Sequence, residues 1–222
     1  MAPTDIKKAL IIVDLQEDFC PPNGSLAVPN GRDIIPTVNK LLDMPFTIKI
    51  ATKDWHPPDH ISFAANHLDA QPYTSNTTII NPSNPEETYE TRLWPVHCVQ
   101  NTPGAELLSE LDLTKIDRVV EKGQRREVEM YSAFYDPLTK PRCSDSGLVE
   151  ILRKEGVEEV YVVGLAADYC VKATAIDAKK EGFRTIILEE GTRAVHPTTW
   201  DSTKAEIQDA AVEVVRLEQA DL

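Results

Sequence analysis

Cys170 is the residue of this sequence best suited to covalent chemistry. The segment around it, residues 160–174 (VYVVGLAADYCVKAT), predicts a buried strand over 160–163, a turn at Gly164 and a helix that opens near Asp168. In the first turn of that helix, backbone N–H groups and the helix dipole would favour a thiolate, which can act as a nucleophile. Free cysteines are also among the most buried residue types, so the segment alone leaves a packing role open.

Acidic and basic side chains stand at the ends of the other predicted strands. Asp14 follows the first strand and Lys122 follows the third. Asp54 comes after the second, with His56 two positions later. Ligands of parallel sheets bind beyond the carboxyl ends of the strands, so we expect these groups and Cys170 to face one crevice. Asp14 could then take the thiol proton, and the Lys122 ammonium would lower the pKa of the thiol.

Each of these residues also has an ordinary explanation. Asp14 could cap a loop and Lys122 could be a surface charge. Asp54 and His56 are two residues apart, so their side chains lie on one face if the strand continues through them. Together with His97 they could bind a metal ion. An Asp/His/His set with open positions suits zinc or a similar divalent ion. Because histidines in polar loops are common, the residues alone leave the metal open.

Two further histidines, His60 and His67, are reserve ligands for such a metal. The short side chains of the turn 164–167, GLAA, would let backbone N–H groups point at a reacting carbonyl, as an oxyanion hole requires. These residues therefore indicate nucleophilic attack on a carbonyl group without identifying the substrate.

The composition excludes several classes of function. The chain has 222 residues, 41% hydrophobic and 27% charged, with a formal net charge of −13. Such a charge argues against nucleic acid or an anionic membrane as a partner.

The four cysteines have no CxxC spacing, and residues 1–16 lack the layout of a signal peptide. The C-terminus matches no lipidation or peroxisomal signal, so we expect reduced thiols and a cytoplasmic location, with the nucleus or peroxisome left open.

Apolar runs alternate with helical periodicity along the chain. Strands are predicted at 9–13, 46–52, 117–121, 160–163, 184–188 and 212–217, and helices at 33–42, 104–111, 146–154, 168–181 and 199–211. This alternation is typical of a three-layer α/β fold of the Rossmann-like kind, with a six-stranded, mostly parallel sheet and helices on both faces. We find no repeat or linker, which predicts a single domain over 1–222. The polar stretch 57–92 is too long for a plain connection and predicts a functional or lid-like excursion.

Five segments in the same order resemble a known family. They are IIVDLQEDFCPPNGSLAV, ATKDWHPPDHISFA, LWPVHCVQNTPGAEL, EKGQ with MYSAF, and VYVVGLAADYCVKATAIDA. They are similar to the nicotinamidases, in particular the fungal-type enzymes, within the isochorismatase-like cysteine hydrolase superfamily. The likeness runs from about residue 9 to 188. It implies Asp14, Lys122 and Cys170 as a catalytic triad, and one divalent metal, with Zn²⁺ as the first choice, on Asp54, His56 and His97.

The resemblance also implies details of the substrate pocket. A cis peptide is expected between Leu165 and Ala166, with the amides of Ala166 and Cys170 binding the oxyanion. The substrate-binding residues would be Phe19, Trp94, Tyr131, Leu165 and Tyr169. The metal identity stays open, since an Asp/His/His set accepts zinc, manganese or iron.

The function implied by the resemblance is hydrolysis of nicotinamide to nicotinate and ammonia through a Cys170 thioester, which would feed NAD salvage. The expected partner is therefore a small molecule, with no nucleic acid and no membrane; the sequence does not indicate an oligomeric state. The alternatives are another amide or N-carbamoyl hydrolase of the superfamily, an isochorismatase, which would lack the nucleophilic cysteine, or a catalytically silent fold.

Overall fold

The computed structural model describes residues 6–222. This part of the chain contains eight strands and four α-helices. The strands are β1 (Lys8–Val13), β2 (Ile48–Asp54), β3 (Asn76–Asn81), β4 (Asn84–Arg92), β5 (Arg118–Lys122), β6 (Glu159–Leu165), β7 (Arg184–Arg193) and β8 (Glu213–Val215). The helices are α1 (Ile35–Leu42), α2 (Leu148–Glu155), α3 (Lys172–Lys180) and α4 (Trp200–Asp209).

Six strands form a parallel sheet in the order β5-β2-β1-β6-β7-β8. Asp54 and Lys122 are the last residues of β2 and β5, Asp14 directly follows β1, and the turn with Cys170 follows β6. These four strands are consecutive neighbours in the sheet. Their carboxyl ends therefore meet at one edge of the sheet. Among the described residues, no helix combines the length and apolar character needed to cross a bilayer.

Both faces of the sheet are buried, which explains the continuous apolar run of β1. Ala9, Ile11 and Val13 pack into one hydrophobic core, whereas Leu10 and Ile12 pack into the other. Successive side chains of a strand point to opposite faces, so a strand covered on both sides must be apolar at every position. The first core includes residues of α2, α3 and α4, and the second includes residues of α1. This arrangement confirms the predicted three-layer α/β fold.

The helix predicted over 104–111 is wrong. Only a single 3-10 turn, Pro103–Ala105, forms there. Ala105, Leu108 and Leu111 are all buried, and their three-residue spacing imitates a helical stripe. The backbone instead binds the chain after β1, because Leu108 N–H donates to the Leu15 carbonyl at 3.0 Å. Contacts with a distant segment override the local pattern here.

The polar stretch 57–92 contains a two-stranded antiparallel hairpin, β3–β4, which the sequence pattern did not predict. In β3 only Ile79 and Asn81 are fully buried, and in β4 only Thr91. Since one face is mostly exposed, polar residues dominate and the apolar signal is too sparse to mark strands.

Glu87 ties this hairpin to the loop before α2. Its carboxylate accepts hydrogen bonds from Asn81 Nδ2 (2.7 Å), from the Thr139 N–H and hydroxyl (2.8 and 2.9 Å), and from the Lys140 N–H (2.9 Å). Partial burial acts to raise the pKa of Glu87, but these four donors outweigh it and lower the pKa to about 2.

Gly164 occupies a position that no other residue fits. Its φ is +111°, and a Cβ at this position would lie 2.0 Å from the Val13 carbonyl oxygen of the neighbouring strand. We expect Gly164→Ala to lower the free energy of unfolding by at least about 3 kcal/mol in urea denaturation, because strain and overlap add. Gly182→Ala is the matched control: φ is also positive (+95°), but no heavy atom lies within 4 Å of its Cβ. Equal losses in the two variants would contradict this account.

Ionised Glu87 should stabilise the folded chain at neutral pH but not in acid. The pKa of Glu87 is lower in the folded chain than its ordinary value, so its contribution is complete above about pH 5 and is lost as the pH falls towards about 2. We expect Glu87→Gln to lower the melting temperature at pH 7, and the gap between variant and parent to shrink as the pH is lowered through that window. A gap that stays constant from pH 7 to pH 3 would show that ionisation of Glu87 does not stabilise the hairpin contact.

Candidate active site

The Lys122 ammonium lies at the centre of the site. The residue is 2% exposed, and its Nζ is 3.0 Å from Asp14 Oδ2 and 2.5 Å from Asp54 Oδ1. Nζ also donates to the Met130 carbonyl (3.2 Å) and lies 3.5 Å from Cys170 Sγ. Burial acts to lower the pKa of Lys122, but the two carboxylates outweigh it and raise the pKa well above its ordinary value. Lys122 is therefore a permanent cation in contact with both acids and the thiol.

Cys170 lies in a π-helical turn, Ala167–Val171, that precedes α3, and not in the first turn of a regular α-helix. Its thiol faces the same crevice as Lys122. Burial raises the pKa of Cys170 well above its usual value; Lys122 acts to lower it, as expected, but burial together with Asp14 and Asp54 outweighs the ammonium. The resting group is therefore a thiol, and it needs a base before it can attack.

Asp14 has the position and the basicity for that task. It is fully buried, and its Oδ1 accepts a 2.5 Å hydrogen bond from the Thr52 hydroxyl. Burial raises the pKa of Asp14 to about 6, against the opposing effect of Lys122. The ligand atoms of Asp14, Asp54 and Cys170 all lie within 4.8 Å of one another. Thr52 was not identified from the sequence, although its place two residues before Asp54 puts it on the same face of β2.

Asp54, His56 and His97 form a second cluster beside the first, with one ligand atom of each within 4.8 Å of the others. His56 Nδ1 is 2.8 Å from the Gly123 carbonyl, and His97 Nδ1 is 2.7 Å from the Pro95 carbonyl. A carbonyl only accepts hydrogen bonds, so each ring donates from Nδ1 and keeps Nε2 free. Carbonyl-oriented histidines of this kind are typical of metal ligands.

Three observations fit a bound cation at this cluster. His56 Nε2 is buried and has no hydrogen-bond partner. Burial lowers the pKa of His97 to about 4, with His56 adding to the effect, so this ring is neutral and able to ligate at pH 7. Asp54 Oδ2 lies 3.5 Å from His56 Nε2, and although burial acts to lower the pKa of His56, this carboxylate outweighs it and raises the pKa, as expected for a position where positive charge is favoured. Gly123 leaves room for this ring, because a Cβ there would lie 2.4 Å from His56 Cε1.

The two reserve histidines do not join this cluster. His60 stacks on His56 with ring centroids 4.1 Å apart, but both of its nitrogens are engaged, by Ser62 Oγ at 2.8 Å and the Val128 carbonyl at 3.1 Å. Burial, aided by His56, lowers the pKa of His60 to about 2, so it is a neutral packing residue. His67 Nε2 instead lies 2.6 Å from the Ile61 carbonyl.

A cavity with about 390 Å³ of empty space, including its open mouth, lies against Cys170, Asp54 and His97. It is lined by four of the five predicted substrate residues, Phe19, Trp94, Tyr131 and Tyr169. Leu165 does not line it: this side chain is fully buried and points towards Gly31. The four aromatic side chains in this lining suit a flat ring.

Glu129 also lines the cavity, and sequence analysis missed it. Burial raises the pKa of this carboxyl, although the nearby His56 and Lys122 act against the rise. Its neighbours in the sequence, QRREVEM, carry no periodicity or turn signal that would have distinguished it from the surrounding surface charges.

A cis peptide precedes the turn that carries Cys170, and hydrogen bonds of Asp168 connect this turn to the segment after β7. The Leu165–Ala166 peptide is cis, and Ala166 and Cys170 both border the cavity. Asp168 is buried and accepts hydrogen bonds from the backbone N–H groups of Val195 and His196, both at 2.9 Å. Asp168 thus joins this turn to the end of β7.

Comparison with known proteins gives consistent matches. The isochorismatase domain model matches residues 8–219. The nicotinamidase of Saccharomyces cerevisiae is 39% identical over 94% of this chain and 99% of its own length. The nicotinamidase of Acinetobacter baylyi is 43% identical over 84% of this chain and 81% of its own length.

Solved structures agree with the sequence matches. The yeast nicotinamidase bound to the inhibitor nicotinaldehyde superposes with a TM-score of 0.88 at 39% identity, covering 94% of this chain and 99% of the other. The pyrazinamidase of Pyrococcus horikoshii in complex with zinc superposes with a TM-score of 0.73 at 34% identity, covering 95% and 99%. In fold and in sequence over nearly its whole length, this chain belongs to the isochorismatase family.

Proposed function

We propose that this protein hydrolyses nicotinamide to nicotinate and ammonia, with Asp14, Lys122 and Cys170 as its catalytic residues. The observation that carries the proposal is the contact of one buried ammonium with both the base and the thiol, at 3.0 and 3.5 Å. Nicotinamidases at 38–43% identity in four organisms support the choice of substrate.

The first half of the reaction forms a thioester. Asp14 accepts the thiol proton while Cys170 Sγ bonds to the amide carbon, and the carbonyl electrons move to oxygen. The N–H groups of Ala166 and Cys170 are proposed to bind this oxyanion. Asp14 then returns the proton to the amide nitrogen, the C–N bond breaks and ammonia leaves. A carboxyl whose pKa is about 6 is well matched to both proton transfers near neutral pH.

The second half regenerates the thiol. Asp14 accepts a proton from a water molecule while the water oxygen attacks the thioester carbon. The C–S bond then breaks, and the proton on Asp14 passes to Sγ. The nicotinic acid so formed gives its own proton to water or to the released ammonia and becomes nicotinate. Throughout, Lys122 stays charged and offsets the negative charge on Asp14 and on the departing sulfur.

Asp54, His56 and His97 are proposed to hold one divalent metal, and we propose Zn²⁺. The unpartnered Nε2 of His56 and the carbonyl-oriented rings support this assignment, as does the zinc complex of the Pyrococcus horikoshii relative. When bound, the metal supplies a Lewis acid for the ring nitrogen of the substrate. The chain itself provides the aromatic enclosure of Phe19, Trp94, Tyr131 and Tyr169, which we propose contacts the ring faces.

We also propose that the chain acts as one hydrolase domain in the cytoplasm and that its nicotinate feeds NAD salvage. All four cysteines are free, which supports a reducing compartment.

Ammonia release from nicotinamide by the purified protein tests the activity and the nucleophile together. We expect Cys170→Ala, and equally Asp14→Asn, to lower kcat by at least about a thousandfold, because each removes a partner of the covalent step. Cys143→Ala is the control, since this thiol is partly exposed and lies outside the site. Full activity in Cys170→Ala would refute the thioester route. If the parent protein releases no ammonia from nicotinamide but hydrolyses another amide or an N-carbamoyl compound, the protein is a different hydrolase of the same family.

A second test concerns the metal. We expect His97→Ala to lower the metal content after dialysis to below about a tenth of the parent value and to raise KM for nicotinamide, because it removes one of three ligands. His67→Ala, outside the cluster, should retain both properties. Metal content equal to that of the parent in His97→Ala would show that the ion does not bind here.

A further inference from the structure

The two tyrosines of the cavity wall have their hydroxyl groups bound by neighbouring residues at the end of β4. Thr91 Oγ1 lies 3.0 Å from the Tyr131 hydroxyl, and Arg92 Nη1 donates to the Tyr169 hydroxyl at 3.0 Å. Thr91 is buried, in contrast to most of its strand. The hairpin β3–β4 thus contacts the site through both aromatic rings.

The direction of the bonds at Tyr131 follows from donor chemistry. Trp94 Nε1 lies 2.9 Å from the Tyr131 hydroxyl, and an indole nitrogen only donates. The tyrosine therefore accepts from Trp94 and can give its own proton to Thr91. Two side chains of the cavity wall are linked through one hydroxyl, and Thr91 completes that link.

Arg92 has the same role at the other tyrosine. Its Nη1 also lies 3.2 Å from His196 Nε2, so one guanidinium bridges the Tyr169 hydroxyl and the segment after β7. The Tyr169 ring meets Trp94 edge-on at 4.9 Å and lies 5.5 Å from Tyr131. The three rings therefore form one cluster, and β4 binds the hydroxyl groups of its two tyrosines.

The buried face of β4 also contacts the segment that follows the catalytic lysine. Tyr89, two residues before Thr91 on the same face, donates its hydroxyl to the Glu129 carbonyl at 2.6 Å. The next carbonyl, that of Met130, accepts from Lys122. The hairpin is therefore anchored next to the site by contacts on both sides of Thr91, through Tyr89 before it and Arg92 after it.

We propose that Thr91 and Arg92 are positioning residues that set the shape of the substrate pocket and so influence how it discriminates between substituted and unsubstituted flat rings. They act through Tyr131 and Tyr169 and touch none of the reacting groups. The inference rests on the proposed function, because it concerns the ring of that substrate. It assigns to the hairpin a part in specificity, separate from the chemistry performed at the strand ends.

The test compares kinetic constants for nicotinamide and for nicotinamide carrying a methyl group on ring carbon 5 or 6. We expect Thr91→Val and Arg92→Met each to raise KM for nicotinamide by about fivefold or more, while kcat stays within about twofold, because each loses one hydrogen bond that holds a wall residue. The preference for nicotinamide over the methylated compounds, as a ratio of kcat/KM, should fall by a similar factor. Thr91→Ser should restore parent behaviour.

Thr88→Val is the matched control, because this threonine lies on the same strand with its side chain exposed. A merely structural role would lower kcat through loss of folded enzyme and leave KM and the preference ratio unchanged. That result would overturn the inference while the proposed function stands. The same holds if the parent is active and both Thr91→Val and Arg92→Met keep its kcat and KM. A parent that releases no ammonia from nicotinamide would overturn the proposed function and this inference with it.

Discussion

The buried ammonium of Lys122 is the interaction on which the site depends. A lone charge in a protein interior is costly, and removing one member of a buried ion pair typically costs about 3–5 kcal/mol. Lys122 is stabilised chiefly by two carboxylates within 3.0 Å of Nζ, Asp14 directly after β1 and Asp54 at the end of β2. The strand order β5-β2-β1 brings the three groups together, and Asp54 pairs with Lys122 in register. The contacts that stabilise the buried charge of Lys122 are therefore the same contacts that assemble the proposed catalytic groups.

Electrostatics also decide how the nucleophile is activated. One ammonium faces two carboxylates and a thiol, and burial adds a cost to every ionised state. The balance leaves sulfur protonated at rest and makes Asp14 a stronger base than an exposed carboxyl. Adding a divalent cation beside Asp54 would shift this balance towards the thiolate. The two clusters are therefore coupled through Asp54, which contacts Lys122 and belongs to the proposed ligand set.

The sequence predicts the sheet well because β1 and β6 are buried on both faces and read as unbroken apolar runs. It also predicts the meeting of Asp14, Asp54, Lys122 and Cys170, since parallel strands bring their carboxyl ends to one edge.

What the sequence could not predict depends on contacts between distant segments. The loop 104–111 follows the chain after β1, and His60 is held by Ser62 and Val128. The sign of the pKa shift at Cys170 depends on burial, which spacing does not measure.

The register between β2 and β5 has a consequence for the order of folding. Asp54 and Lys122 are 68 residues apart in the chain, and Thr52 and Asp14 are 38 apart. Pairing over such distances requires costly loop closure and is slow compared with local contacts. Until the sheet closes, each charge stays hydrated and Cys170 is an ordinary thiol. The charge cluster therefore depends on pairing between distant segments, and a chain in which β1, β2 and β5 are unpaired lacks the complete site.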